Sequence, residues 1–256
     1  MIFETHAHYD GEEFDSDRVE LLLALQKEGV DKIINVGASI EGSIRSVELA
    51  EQYPFIYASV GVHPDDVATM TEDDIETLRK LSANEKVIAI GEIGPDYYYD
   101  YSDEEKAKQL YWYRRQLDLA LEVDLPVIIH SRDAAKDTFE IMSEYADKGL
   151  KGVLHCYGYS AEQAKQYVKM GYYIGIGGAL TFKNAVKKVE VVREIPLTSI
   201  LLETDAPYMA PVPVRGTRNQ SANLKYVAEK IAEIKGITPE EVERVTYDNA
   251  MKLFNL

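Results

Sequence analysis

Short apolar runs rich in valine and isoleucine recur along the whole chain, and each is followed by a longer stretch in which apolar residues return with helical spacing. That alternation is the pattern of repeated βα units feeding a parallel sheet. Eight runs can be counted, opening at Met1, Lys32, Ile56, Val87, Pro126, Gly152, Tyr172 and Ser199. Amphipathic stretches between them predict helices over Arg18–Lys27, Glu104–Leu125, Lys136–Tyr145, Ala161–Lys169 and Ala222–Lys235. A last stretch, Pro239–Phe254, follows Thr238 as N-cap and predicts a closing helix. No low-complexity or Pro/Gly/Ser-rich segment divides the chain, and its 256 residues match the ~250 that a (β/α)₈ barrel requires. The expected fold is therefore α/β, a (β/α)₈ TIM barrel forming one domain over residues 1–256.

In such barrels the chemistry sits at the C-terminal ends of the strands. Here those positions hold Glu4-Thr5-His6-Ala7-His8, Gly61-Val62-His63-Pro64, Gly91-Glu92-Ile93-Gly94, His130-Ser131-Arg132-Asp133, His155-Cys156-Tyr157 and Glu203-Thr204-Asp205. All five histidines of the chain fall in this set. A lone histidine is more often a hydrogen-bonded structural residue than a ligand, but a random scatter would rarely place every one after a predicted strand. His6 and His8 are two apart on a strand, so both side chains point to one side and suit one cation. With Glu92, His130, His155 and Asp205 they make six ligands, more than one four-coordinate ion with an open water position uses. Two divalent ions are expected, magnesium, manganese or zinc, with Glu92 as a bridge because a carboxylate has two oxygens to share. Paired ions of this kind suit phosphodiester hydrolysis. Asp205 would then be both ligand and general base, with Glu92 as the other catalytic carboxylate. Glu203 is expected to orient the ligands from behind.

His63, ahead of a proline and without a paired ligand in its own segment, is expected to contact substrate or phosphate. Arg132, Arg215 and Arg218 are candidates for phosphate, since a guanidinium binds it in a two-pronged fork; solvated loops are the alternative. The run Asp96-Tyr97-Tyr98-Tyr99-Asp100-Tyr101 offers aromatic faces on which single-stranded bases stack, or tyrosines that pack against their neighbours.

Composition narrows the partners. Hydrophobic residues make up 46% and charged residues 28%, ordinary for a globular chain. No apolar stretch approaches the ~20 residues that span a bilayer, and the start of the chain lacks the charged and apolar regions of a signal peptide. A cytoplasmic protein is expected, without membrane contact. The single cysteine, Cys156, excludes an internal disulfide framework and is expected to have no disulfide-linked partner. A net charge of -16 argues against broad adhesion to nucleic acid, so a polyanionic substrate would be drawn in locally, by bound cations.

Taken together, the segments Glu4-Thr5-His6-Ala7-His8, Ser59-Val60-Gly61-Val62-His63-Pro64, Ala89-Ile90-Gly91-Glu92-Ile93-Gly94, Ile129-His130-Ser131-Arg132, Leu154-His155-Cys156-Tyr157 and Leu202-Glu203-Thr204-Asp205-Ala206-Pro207-Tyr208 resemble the TatD family of metal-dependent deoxyribonucleases, within the amidohydrolase-like barrels. The resemblance covers essentially the full length. It implies a binuclear metal centre and, in at least some members, cleavage of DNA from the 3′ end, so single-stranded DNA or 3′ ends are the implied partner. Departures from the family pattern stand out in two segments: Glu4 replaces the usual Asp before the His-x-His pair and is one methylene longer, which shifts the geometry around His6, with Tyr9 where an aliphatic residue is common, and Pro95 replaces an aliphatic residue in the loop that approaches substrate. The alternatives are a small-molecule hydrolase acting on a lactone, amide or phosphotriester, or an aminoacyl-tRNA ester hydrolase. A bridging lysine carbamate would favour the former, yet the fourth strand carries Glu92 and no lysine follows it.

Overall fold

The computed structural model describes all residues, Met1–Leu256. Strands and helices alternate as β1 (Ile2–Ala7), α1 (Arg18–Lys27), β2 (Val30–Val36), α2 (Ile40–Gln52), β3 (Ile56–Val60), α3 (Glu72–Ser82), β4 (Val87–Ile93) and α4 (Asp103–Glu122). They continue as β5 (Val127–Ile129), α5 (Ala135–Ala146), β6 (Gly152–Leu154), α6 (Ala161–Lys169), β7 (Tyr173–Ile176), α7 (Val186–Glu194), β8 (Ile200–Leu202), α8 (Leu224–Lys235) and α9 (Pro239–Phe254). All eight strands belong to one sheet in chain order, with parallel pairing. β1 lies beside β8: Thr5 Oγ1 donates to the Leu202 carbonyl at 2.9 Å, and Ala7 bridges Ala206 in parallel. This is the expected (β/α)₈ barrel. No helix is long and apolar enough to cross a membrane.

α1, α6 and α9 run over the residues their periodicity predicts. β1 and β4 run further than their apolar runs, so His6 and Glu92 lie inside strands rather than after them. The backbone pairing carries on past the apolar residues, with Ala7 opposite Asn35 and Ile93 opposite Ile129 beyond irregularities in register. A bulge re-aims side chains at such a point, and polar residues there interrupt the pattern that marks a strand.

The chain packs as two compact units. The first comprises Met1–Asn35, Cys156–Lys169 and Tyr173–Leu256. Here α9 covers β1 and β8: the Phe3 ring lies 6.1 Å from Phe254 and 6.0 Å from Tyr247. Asn249 Nδ2 donates to the carbonyls of Leu197 and Ile200 at 2.9 and 2.8 Å. Each large apolar side chain buried in this way stabilises by roughly 1.5–3 kcal/mol.

The second unit comprises Val36–His155 and Met170–Tyr172. Its core holds Val47 and Ala50 of α2, Ile75 and Leu78 of α3, Trp112 and Leu117 of α4, and the three residues of β5. Two glutamines of α4, seven residues apart and so on one face of the helix, are buried and reach the loops that follow β3 and β4. Gln116 accepts from Val62 N at 2.7 Å and donates to Val62 O at 3.1 Å; Gln109 accepts from Asp96 N at 3.0 Å. A buried amide left unpaired would be costly, so these contacts fix the two loops against the helix.

Candidate functional site

In the first unit, β1 carries His6, and His8 follows two residues later on the same side. His6 is fully buried and His8 half-buried. Their Nε2 atoms converge to 3.2 Å. Asp205, beyond β8, brings Oδ1 to 3.5 Å from His8 Nε2 and 3.8 Å from His6 Nε2. Its φ of 60° is left-handed, and its N–H is tied to the His6 carbonyl at 2.9 Å. The three donors lie within 4.8 Å of one another. Two imidazole nitrogens and a carboxylate oxygen aimed at a common point are a donor set that fits zinc, manganese or a related ion.

Glu4 and Glu203 stand behind this cluster. Glu4 Oε1 accepts the N–H groups of His6 (3.1 Å) and Thr204 (2.8 Å), while Oε2 accepts the Thr204 hydroxyl at 2.6 Å. The extra methylene of Glu4 therefore lets it pin the end of β1 to the residue ahead of Asp205. Burial pushes its pKa up to about 7 against those hydrogen bonds. Glu203 is buried, and its Oε1 accepts the N–H of Cys156 at 2.6 Å. A side chain at Gly175 would run into the Glu203 carboxylate, so the glycine leaves that carboxylate its space.

In the second unit, β4 supplies Glu92 and the end of β5 supplies His130, with His130 Nδ1 2.8 Å from Glu92 Oε1. His155, directly after β6, places Nε2 3.9 Å from the same oxygen. His63 also joins Glu92 and His130 with donor atoms within 4.8 Å, its ring against His130 at 4.3 Å between centroids. Burial lowers its pKa and favours the neutral ring. Because Nδ1 accepts the Asp65 N–H at 3.3 Å, hydrogen bonding assigns the proton of that neutral ring to Nε2, which makes it a donor.

Asp96 completes the arrangement: its Oδ2 lies 2.8 Å from His130 Nε2. Burial disfavours charge on His130, yet Asp96 and Glu92 outweigh it and push the metal-free ring up to about 10. A metal ligand must give up such a proton, because ligation takes the neutral imidazole. In the sequence Asp96 reads only as part of a tyrosine-rich loop; the available signal is an acidic residue four positions after the candidate ligand Glu92, just past the end of its strand.

The remaining candidates are placed as follows. Arg132 is exposed, with its guanidinium 3.4 Å from the Tyr98 ring centre, so the tyrosine run packs in part on its neighbour. Tyr98 and Tyr99 are themselves exposed. Arg215 lies over Phe182 at 4.3 Å. Arg218 forms a two-pronged ion pair with Asp17 at 2.8 and 2.6 Å and also donates to the Glu13 carbonyl at 2.7 Å, so a phosphate would have to compete with Asp17.

Residues 3–255 match the family model described as TatD related DNase. The chain belongs to that family. YabD of Bacillus subtilis, named a metal-dependent hydrolase of uncharacterised function, is 45% identical over the full length of both chains. A TatD protein of Cronobacter sakazakii named a 3′-5′ ssDNA/RNA exonuclease is 31% identical, covering 99% of this chain and 97% of its own. The crystal structure of the TatD homologue YjjV of Escherichia coli superposes with a TM-score of 0.92 at 33% identity, covering 100% of this chain and 98% of that one. As a TatD-family chain, the protein is a metal-dependent hydrolase, and its converging histidines and carboxylates are candidate donors for a divalent ion.

Proposed function

We propose that this chain is a divalent-metal-dependent deoxyribonuclease that hydrolyses phosphodiester bonds from the 3′ end, with single-stranded DNA as the preferred substrate, and that it acts in the cytoplasm. The convergence of His6, His8 and Asp205 on one point carries the proposal. The name of the Cronobacter sakazakii relative supports the substrate class. His6, His8 and Asp205 would hold one ion, and Glu92, His130 and His155 a second. Magnesium, manganese or zinc at such donors supplies positive charge to phosphate oxygens and makes water a better nucleophile at neutral pH.

The chain's own groups do the rest. Asp205 takes the proton of the attacking water, a role open to a carboxylate within hydrogen-bond reach, and Glu92 is the second catalytic carboxylate. Glu4 holds the His6 backbone and Glu203 the Cys156 backbone, so both act through the residues they position. His63 presents its Nε2–H to a phosphate oxygen. Arg132 and Arg215 approach the phosphate backbone from exposed loops, and Arg218 joins them by exchanging Asp17 for phosphate.

End-labelled DNA, single- and double-stranded, incubated with the protein across several divalent ions tests this. Stepwise shortening from the 3′ end is expected, and Glu92→Ala or His155→Ala should lower the rate by at least about 10²-fold. Intact DNA beside hydrolysis of lactones, amides or aminoacyl esters would refute the nuclease assignment.

A further inference from the structure

His130 has a carboxylate on each side of its ring, and a metal ligand has only one nitrogen to give. Glu92 is at Nδ1 and Asp96 at Nε2, both at 2.8 Å. The two carboxylates are not equivalent. Glu92 also lies 3.9 Å from His155 Nε2, and so faces a second candidate ligand. Asp96 sits in a segment whose own hydrogen bonds hold it still.

That segment extends β4 alongside the residues after β5. His130 N donates to Ile93 O at 2.8 Å, Arg132 N to Pro95 O at 3.2 Å, and Tyr97 N to Arg132 O at 2.8 Å. Gly94, at φ 150°, passes so close to the His130 carbonyl that a Cβ there would overlap it. Gln109 of α4 holds Asp96 N at 3.0 Å, and Asp96 Oδ1 accepts Tyr98 N at 2.8 Å. The side chain is 4% exposed. A carboxylate buried this far requires partners for both oxygens, and Oδ2 has the His130 ring.

We propose that Asp96 is the positioning residue for His130: its Oδ2 takes the Nε2–H, which leaves Nδ1, on the Glu92 side, as the nitrogen that faces the cation. The inference rests on His130 being a metal ligand. Carboxylates behind metal-bound histidines fix the ring in this way, and their loss typically lowers metal affinity 10- to 100-fold. The same carboxylate holds Tyr98 N, so the metal ligand and the exposed tyrosine loop are positioned by one group.

The test is NMR of the full chain with isotopically labelled histidine, metal-free and loaded with an NMR-active cadmium isotope, beside cadmium titrations of Asp96→Ala, Asp96→Asn and Gln109→Ala. Expected are a protected Nε2–H for His130 in the native chain, cadmium coupling to its Nδ1, and affinity lowered roughly 10- to 100-fold in Asp96→Ala. Asp96→Asn should fall between, since its one carbonyl oxygen serves either the ring or Tyr98 N. Gln109→Ala loosens the loop but keeps the carboxylate, and should retain the Nε2–H and the coupling pattern. Cadmium coupled to Nε2, or an Asp96→Ala chain with native affinity, overturns the inference and leaves the metal centre standing. A native chain that takes up no cadmium overturns the metal centre itself. If Asp96→Ala fails to fold, the native spectra and Asp96→Asn decide.

Discussion

Gly175 and Glu203 show how much one side chain decides here. A methyl group at position 175 would meet the Glu203 carboxylate, which would have to withdraw from the Cys156 N–H it holds at 2.6 Å. Gly175→Ala is expected to destabilise the fold by about 1–3 kcal/mol, the cost of leaving a buried partner unpaired, and to lower hydrolytic activity because Cys156 follows His155. Urea denaturation checks the first part, and a variant as stable as the native chain would contradict it. At this scale the sequence makes the histidines legible, because imidazoles at strand ends are conspicuous. Asp96 is not legible in this way: its role depends on which carboxylate meets His130 Nε2 once β4 and β5 extend side by side. Arg218 looks free in the sequence because its partner, Asp17, is some two hundred residues away.

Elements are more legible in the sequence than contacts. The periodicity of α1, α6 and α9 set their limits, and the Thr238 cap is present, accepting from Glu241 N at 3.2 Å. Helix α8 starts later than its apolar pattern because a single turn, Ser221–Asn223, precedes it. The ends of β1 and β4 are not legible in the pattern, because polar residues replace apolar ones where the pairing still continues. Between β2 and α9 lies a polar tie that no pattern announces: Asp31 Oδ2 accepts from Lys32 Nζ at 2.8 Å and from the Tyr247 hydroxyl at 2.5 Å. Hydrogen bonds from Lys32 and Tyr247 hold the Asp31 carboxyl below the usual carboxylate range. A carboxyl depressed on folding contributes stability above its unfolded pKa and loses it as pH falls through the folded value. Asp31→Asn should therefore cost roughly 0.5–1.5 kcal/mol at pH 7, and the gap to the native chain should close below about pH 4. Melts of the two chains across that range would show it; a gap that persists in acid would point to packing instead.

At the scale of the whole molecule, a net charge of -16 sets the terms on which a nucleic acid can approach. A protein neutralising 6–10 phosphates with basic groups loses about 10³–10⁵ in affinity between 50 and 200 mM salt. Here attraction would be confined to a few cations and arginines, so the KM for single-stranded DNA should rise by less than roughly tenfold over that range. A steep slope would reveal a basic track that this charge balance does not suggest. The first cluster carries a further consequence. His6 lies on the first strand and His8 just past it, Asp205 lies beyond the last, and Glu4 already joins those two stretches through Thr204. An ion held by all three makes the concentration of free metal a term in the folding equilibrium: at a hundred times its Kd it adds about 2.7 kcal/mol. At roughly 2–4 °C per kcal/mol for a chain this long, a chelator should lower the melting temperature by about 5–10 °C. The ion would then act as a mass-action fastener between the opening and closing strands, and a cell short of metal would hold a looser protein as well as a slower one.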